Sequence, residues 1–114
     1  MPRNMSFMLT TEQVRNKTKT VTRRLGWWNL KEGDIVNACV KCMGLKKGEK
    51  VEKICQIRIK NVRKERINQI TDSDLIKEGF PDWNRYQFIK MFLDSHKCKT
   101  GVVTPVNRIE FEYL

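Results

Sequence analysis

Alternation of apolar and polar side chains predicts short β-strands rather than long helices. The alternation is clear at residues 51–62 and again at 108–113, where it has the two-residue period of a strand with one buried face. A third strand is predicted at residues 35–42, directly after the turn-forming pair Gly33-Asp34. In the last strand, the side chains expected to face the core are Ile109, Phe111 and Tyr113.

Helix signals are brief and lie between the predicted strands. Thr10 or Thr11 can cap a short helix that runs to Arg15. Thr71 can cap a second helix that runs to Glu78 and ends at Gly79. Asp82 can cap a third helix, whose 3.6-residue apolar stripe we interpret as core: Tyr86, Phe88, Ile89, Phe92 and Leu93. Four or five short strands with helices gathered between the late ones predict an α+β domain on a small, curved or barrel-like sheet, and argue against a doubly wound parallel sheet.

The length of 114 residues predicts one domain, spanning residues 1–114. The sequence contains no internal repeat, no low-complexity tract and no run of apolar residues long enough to span a bilayer. The N-terminus lacks the apolar stretch of a secretory signal. We therefore expect a cytoplasmic, monomeric protein with no membrane partner.

The net charge of +10 is concentrated in the first part of the chain. Residues 1–66 hold 17 Lys and Arg against 6 Asp and Glu, whereas residues 67–114 hold 6 against 7. An excess of this size on one part of a protein attracts polyanions and makes phosphate the obvious partner. A solvated basic face that only keeps the protein soluble is the alternative.

The four cysteines raise the question of a metal site. Cys39 and Cys42 have a spacing that suits zinc, and His96 with Cys98 could supply two further ligands. However, the first pair lies in a predicted strand, where positions three apart point to opposite faces. We therefore expect no metal and no cofactor, and interpret the cysteines as reduced and mostly buried. His96 is interpreted as a surface residue.

Residues 19–24 concentrate cations and hydroxyls that can hold phosphate or carbonyl oxygens. The candidate ligand-binding residues in and around this segment are Lys17, Thr20, Arg23, Arg24, Trp27 and Trp28. The two arginines could also be solvated charges. The tryptophans are candidates for a platform on which a base stacks, although packing is the alternative for at least one of them.

The sequence resembles the ASCH domains of the PUA-like superfamily. The resemblance rests on Lys-Thr-x-Thr-x-Arg at residues 19–24, on Gly33-Asp34, on Glu78-Gly79-Phe80 and on the closing Ile109-Glu110-Phe111. It implies a small β-barrel of about five strands with flanking short helices and a cleft that accepts RNA or a nucleoside. Some ASCH proteins are amidohydrolases that deacetylate N4-acetylcytidine, and one branch cleaves RNA.

The amidohydrolase members use a Lys, a Thr and a downstream Glu, which map onto Lys19, Thr22 and Glu78. The resemblance implies Thr22 as nucleophile, Lys19 as general base with a lowered pKa, and Glu78 as proton shuttle. Because Lys19 and Thr22 would face opposite sides of a regular strand, the trio predicts irregular backbone between them. One departure is Lys17, which stands where the family commonly has Gly. The alternative is that Lys19 and Glu78 form an ordinary surface pair and that Thr22 is only a strand-forming residue.

Three functions therefore follow from the sequence as hypotheses. The first is binding of RNA or a modified nucleoside in a basic cleft. The second is amide hydrolysis of N4-acetylcytidine-like nucleosides through the trio. The third is a non-catalytic regulatory module that binds an acidic protein.

Overall fold

A computed structural model of the chain describes residues 2–42 and 45–114. The regular elements are, in chain order, β1 (Arg3–Ser6), α1 (Thr11–Arg15), β2 (Val21–Arg24), β3 (Ile35–Cys39), β4 (Lys53–Arg66), α2 (Asp72–Glu78), α3 (Arg85–His96) and β5 (Pro105–Tyr113). Single 3₁₀ turns precede α1, follow β4 and precede β5, at Met8–Thr10, Ile67–Gln69 and Gly101–Val103. Within these described ranges, no helix is long and apolar enough to cross a membrane.

The five strands form one curled sheet in the order β1-β3-β4-β5-β2. The pairs β3-β4, β4-β5 and β5-β2 are antiparallel, and β1 adds to β3 in parallel. The sheet is a half-barrel with three short helices, which confirms the predicted small α+β, PUA-like barrel. Its two terminal strands are β1 and β2, and the functional residues predicted at 19–24 lie on and just before β2.

Two apolar clusters lie on the sheet. The first joins β1, β3, β4 and β5, and includes Phe7, Ile57, Ile109 and Phe111. The second joins α2 and α3 to the start of β5, and includes Leu75, Phe88, Phe92 and Val106. Because neighbouring side chains of a strand point to opposite faces, β5 contributes to both clusters. The inward orientation predicted for Ile109 and Phe111 is confirmed, and Tyr113 packs beside them half-buried.

Several predicted boundaries are corrected. β3 ends at Cys39 rather than at residue 42, and β4 begins at Lys53 and continues to Arg66. The cap of α3 is Asn84, not Asp82, because the Asn84 side chain accepts from the backbone N–H of Gln87. Tyr86 is 72% exposed and does not belong to the core stripe. The remaining core prediction for Phe88 and Phe92 is confirmed.

Two other features differ from the sequence prediction or fall outside the description. β1 was not predicted, because its four residues are too short to show alternation. The loop predicted at residues 44–50 begins at residue 44, which lies outside the described ranges. Met43, predicted near the end of the third strand, also lies outside them. Cys39 is buried, whereas Cys42, Cys55 and Cys98 are half-buried. Burial and the neighbouring Cys42 raise the pKa of the Cys39 thiol to about 11.

The end of α1 has the geometry of a Schellman motif. The N–H of Lys17 donates to the Val14 carbonyl (3.1 Å), and the N–H of Thr18 donates to the Gln13 carbonyl (2.9 Å). Lys17 has a φ of +62°, in the left-handed region that favours glycine. The entry turn is therefore present, although Lys replaces the Gly that the family resemblance leads one to expect.

Candidate ligand-binding cavity

A cavity of about 240 Å³ opens between the two terminal strands of the sheet. One wall comes from β2, the residues just before it and the end of α2, and its lining residues are Lys19, Thr22, Arg23, Arg24 and Glu78. A second wall comes from the end of β1 and the turn that follows it, at residues 6–10. The third comes from α3 and the preceding Phe80, and its lining residues are Phe80, Phe88, Met91, Phe92, Ser95 and His96. The cavity thus has a charged wall facing an aromatic one.

Lys19 is buried and paired with Glu78. Its Nζ donates to Glu78 Oε1 at 2.7 Å and to the Glu78 carbonyl oxygen at 2.8 Å. The side chains are 3% and 2% exposed, so the alternative of an ordinary surface pair is wrong. Burial lowers the pKa of the Lys19 amine below its ordinary value, Glu78 opposes this shift, and Arg24 and Arg23 add to it. The lowered pKa that the resemblance implies is therefore present, with burial as its main cause.

Gln13 connects the two chain segments that carry this pair. Its backbone carbonyl accepts from the N–H groups of Thr18 and Lys19, and its side-chain amide donates to the Gly79 carbonyl at 3.2 Å. Gly79 has a φ of +98°, and a Cβ there would lie 2.7 Å from the Gln13 Cγ. Tyr113 completes the support, because its hydroxyl donates to the Lys19 carbonyl.

Thr22 lies on β2, 3% exposed, and lines the same cavity as Lys19. Both side chains reach the cavity because Lys19 precedes the strand, in residues with no regular structure. The prediction of irregular backbone between them is confirmed. The Thr22 Oγ1 accepts from Arg24 Nε at 3.1 Å, and among the described residues no hydrogen bond joins it to Lys19 Nζ.

Arg23 is the centre of a buried ion network. Its Nη1 donates to Glu78 Oε2 at 3.0 Å, its Nε donates to Glu65 Oε1 at 2.9 Å, and its Nη2 pairs with Asp74. Asp74 also accepts two hydrogen bonds from Arg108, at 2.8 and 3.0 Å. The hydrogen bonds from Arg108 and then from Arg23 hold the pKa of Asp74 well below its ordinary value. Three cations and three carboxylates balance: Lys19, Arg23 and Arg108 against Glu65, Asp74 and Glu78.

Arg24 stands apart from this network. Its guanidinium carbon lies 4.7 Å from the centroid of the Phe7 ring. Burial lowers the pKa of Arg24 to about 10, so the group keeps its charge at neutral pH. Within residues 2–42 and 45–114 it makes no ion pair, and its two terminal nitrogens have no hydrogen-bond partner. Among the described residues, Arg24 is therefore a cation of the cavity without a carboxylate in ion-pair contact.

The aromatic wall was missed by the sequence analysis. Phe88 and Phe92 are buried and His96 is exposed, as predicted, and all three also line the cavity. Their spacing of four residues, which places them on one face of α3, was the signal available. The spacing of apolar residues along a helix cannot distinguish a stripe that packs in the core from one that lines a cavity, because the two have the same period.

Four other candidate residues do not line the cavity. Lys17 is exposed at the end of α1, and the backbone of Thr20 bonds to α2 and β5. Trp27 packs against the first apolar cluster beneath Arg3, and Trp28 is 54% exposed beside Lys64. In the described part of the chain, His, Cys, Asp and Glu side chains form no group of three that could hold a metal.

Comparison with solved structures identifies the architecture. An ASCH domain from Lactobacillus crispatus aligns with 97% of this chain and 78% of its own length, at a TM-score of 0.65 and 16% identity. The chain has the ASCH fold. An Enterococcus faecalis protein of the DUF984 family shares that fold over the whole of this chain and 76% of its own, at a TM-score of 0.68 and 17% identity. A hypothetical protein designated PH0355 covers this chain in full and is itself covered in full, at a TM-score of 0.66 and 17% identity.

At these identities, the likeness extends to the ASCH fold alone. No family model and no curated protein matches the sequence. The chemistry of the cavity must therefore be argued from its own residues.

Proposed function

We propose that this ASCH-fold protein binds a nucleoside, either free or as a single base of an RNA strand, in the cavity beside β2. The observation that carries the proposal is the convergence of Lys19, Thr22, Arg24 and Glu78 on one cavity. The aromatic wall from α3 supports the same ligand class, because a nucleoside has a planar ring and several carbonyl oxygens.

The charged wall offers donors of the kind that carbonyl and phosphate oxygens need. Arg24 has two terminal nitrogens without a partner among the described residues. Lys19 uses two of its three N–H groups on Glu78, which leaves one donor for a ligand. Charged donors in a partly dehydrated site bind oxygen atoms more strongly than neutral donors do.

The size of the cavity favours a small ligand. Its volume of about 240 Å³ lies just below the roughly 300–1,000 Å³ of pockets for drug-sized molecules. One base or one nucleoside is therefore a better match than several nucleotides. If a strand of RNA binds, its other nucleotides must lie outside the cavity.

Such a strand would contact the exposed basic side chains of β4, which are Lys53, Arg58, Lys60, Arg63, Lys64 and Arg66. Binding through phosphate contacts must weaken as salt rises, because counterions compete for the same charges. Affinity for single-stranded RNA that stays constant from low to physiological salt would contradict a role for these residues.

Amide hydrolysis of N4-acetylcytidine-like nucleosides is a second candidate. The buried Lys19 with its lowered pKa, in the same cavity as Thr22, favours it. Thr22 Oγ would attack the acetyl carbon while its proton passes to the neutral amine of Lys19. The C–N bond then breaks, and the protonated Lys19, relayed by Glu78, returns that proton to the departing amino group. Water next cleaves the acetyl ester on Thr22 and releases acetate.

Incubation with N4-acetylcytidine tests hydrolysis, and calorimetric titration with cytidine and N4-acetylcytidine tests binding. We expect Thr22→Ala to abolish hydrolysis while still binding the nucleoside. Thr18→Ala is the matched control, because Thr18 is exposed in the same segment and does not line the cavity. Full activity of Thr22→Ala would exclude the nucleophile. Absence of binding by the unmodified protein to both nucleosides and to single-stranded RNA would exclude the proposed function.

A further inference from the structure

The thiols of Cys39 and Cys42 lie in hydrogen-bond contact with each other. The sequence pattern predicted a strand through both positions, which would point them to opposite faces. However, β3 ends at Cys39, and the chain bends at Val40 and again at Cys42. The alternation of a strand therefore does not separate the two thiols, and the C-x-x-C segment brings them together.

Cys55 does not belong to this pair. It lies opposite Ala38 in the pairing of β3 with β4, whereas Cys39 lies opposite Lys53. Directly opposed side chains share a face of the sheet, so Cys55 is on the face of Ala38 and Cys39 is on the other. Two thiols are too few for a structural zinc site, which takes four ligands, but a disulfide needs no more than two.

The two thiols differ in access and in acidity. Cys39 is fully buried, and its burial and its contact with Cys42 raise its pKa to about 11. Cys42 is half-buried, so a small oxidant reaches it first. This arrangement suits an attacking and a resolving cysteine, in which the accessible thiol reacts and its buried neighbour completes the disulfide.

Hydrogen bonds connect the C-x-x-C segment to the cavity. The Cys39 carbonyl accepts from the backbone N–H of Phe7 at 2.8 Å. The next carbonyl, that of Val40, accepts from Ser6 Oγ at 3.4 Å. Ser6 and Phe7 line the cavity, and the Phe7 ring lies against the Arg24 guanidinium. A displacement of the C-x-x-C segment therefore moves the cavity wall that contacts Arg24.

We propose that Cys39 and Cys42 form a redox modification site, at which a peroxide closes an intramolecular disulfide that weakens ligand binding in the adjacent cavity. The S–S bond is about 2 Å long, so the sulfur atoms must approach beyond their hydrogen-bond contact. Because Cys39 is fixed in β3, this approach displaces Val40 and Cys42. The hydrogen bond from Ser6 to Val40 is then lengthened or lost. The regulatory effect rests on the proposed nucleoside-binding function, whereas formation of the disulfide does not.

The oxidation proceeds in two steps. The Cys42 thiolate attacks one oxygen of hydrogen peroxide, the O–O bond breaks, and the departing hydroxide takes up a proton, which leaves a sulfenic acid and one water. The Cys39 sulfur then attacks the sulfenic sulfur, the S–O bond breaks, and the Cys39 proton leaves with the hydroxide as a second water. The two thiols thus lose two electrons and two protons, and the peroxide is reduced to two waters.

Treatment with hydrogen peroxide followed by mass spectrometry tests the disulfide. We expect the unmodified protein to lose the mass of two hydrogen atoms. Because trypsin cleaves after Lys41, the disulfide should join two tryptic peptides through Cys39 and Cys42. Cys42→Ser should not form this linkage, and Cys55→Ser is the matched control that should retain it. No disulfide, or a disulfide through any other pair, would contradict the site.

Titration with cytidine, N4-acetylcytidine and single-stranded RNA before and after oxidation tests the effect on the cavity. Affinity for those that bind should fall by about fivefold or more and should return with dithiothreitol. Reversal is required because Met8 and Met91 also line the cavity, and dithiothreitol does not repair methionine sulfoxide. Cys42→Ser should show no change that dithiothreitol reverses.

Circular dichroism of the reduced and oxidised proteins and of Cys42→Ser establishes whether each is folded. Unfolding on oxidation would contradict the regulatory effect, which needs a folded oxidised state. An unchanged affinity after disulfide formation would also overturn it, while the disulfide itself stands. If the reduced protein binds neither nucleoside nor RNA, the proposed function fails and the regulatory effect fails with it. Mass spectrometry decides on the disulfide in either case.

Discussion

Arg23 and Arg24 are adjacent on β2, yet the chain gives them opposite electrostatic environments. Arg23 contacts the carboxylates of Glu65, Asp74 and Glu78, whereas Arg24 lies over the Phe7 ring and bonds only to Thr22 among the described residues. Successive side chains of a strand point to opposite faces, so the two guanidinium groups have different surroundings although both residues line the cavity. Arg23 therefore stabilises the fold, whereas the guanidinium of Arg24 is available to bind a ligand.

We expect Arg23→Met to destabilise the protein by about 3–5 kcal/mol, because it removes one of three cations from the buried network and leaves an excess of negative charge there. Arg24→Met should change the free energy of unfolding by less than about 1 kcal/mol, since no carboxylate loses a partner and the Met side chain can still pack on Phe7. Urea denaturation of both variants measures the difference. Equal losses of stability would contradict the separation of roles.

The same Arg24→Met variant should lose ligand affinity while remaining folded. Removal of a charged hydrogen-bond donor to a ligand oxygen should lower nucleoside affinity by about tenfold or more. Titration with cytidine measures this effect, and Arg58→Met on the exposed face of β4 is the control. If Arg24→Met binds cytidine as the unmodified protein does, the unpaired cation has no role in binding a nucleoside.

Asp74 should make the protein sensitive to acid. Its pKa is lowered from the ordinary 3.8, chiefly by hydrogen bonds from Arg108 and Arg23. The folded state thus holds fewer protons than the unfolded state below about pH 4. Stability from this group is complete above that pH and is lost as the pH falls toward the lower folded value.

Asp74→Asn should therefore unfold more easily at pH 7, by about 3 kcal/mol, and should depend less on pH between 4 and 2. Asp72→Asn is the control, because Asp72 is exposed on the same helix and its nearest pairing with Arg85 is long, at 3.7 Å. Urea midpoints measured across this range provide the comparison. An acid response of Asp74→Asn that matches that of the unmodified protein would exclude Asp74 as its source.

Lys17→Gly should stabilise the protein by about 0.5–1 kcal/mol. Lys17 has a φ of +62° at the end of α1, and glycine adopts this conformation without steric penalty. Lys17→Ala removes the same side chain but keeps the strained conformation, so it should have little effect. Urea midpoints for the two variants separate the contribution of the backbone from that of the side chain. A loss of stability in Lys17→Gly would mean that the Lys side chain contributes more than the strain.

If the protein hydrolyses N4-acetylcytidine, the rate should rise with pH. The reacting form of Lys19 is the neutral amine, and burial lowers its pKa from the ordinary 10.5. The rate should therefore reach a plateau below pH 10.5. Lys19→Arg should retain the charge pairing with Glu78 and abolish hydrolysis, because a guanidinium does not lose its proton. A rate independent of pH, or an active Lys19→Arg, would exclude Lys19 as general base.

The sequence was most informative where residues close in the chain decide the structure. The cap at Thr71, the end of α2 at Gly79 and the closing strand were predicted from local signals and are confirmed. The irregular backbone before β2 was also predicted, because Lys19 and Thr22 could not otherwise reach one cavity.

Long-range pairing explains what the sequence left open. Arg23 and Arg24 look alike in the sequence, and the carboxylates that bind Arg23 but not Arg24 come from a strand and a helix more than 40 residues away. The position of His96 at the cavity depends on how α3 packs against α2 and against the 3₁₀ turns at Ile67–Gln69 and Gly101–Val103, and the sequence pattern does not indicate this packing. Trp27 and Trp28 are prominent in composition, but lie away from the cavity lining.

Gly79 ends α2 and also accepts a hydrogen bond from the Gln13 side chain through its carbonyl oxygen. The reach of one glutamine side chain sets the distance between two segments that carry Lys19 and Glu78, which are 59 residues apart in sequence. A methyl group at position 79 would push these segments apart, since a Cβ there has no room beside Gln13. Its effect would be seen first in the length of the Lys19–Glu78 ion pair. The alignment of Lys19 with Glu78 thus depends on the lack of a side chain at position 79.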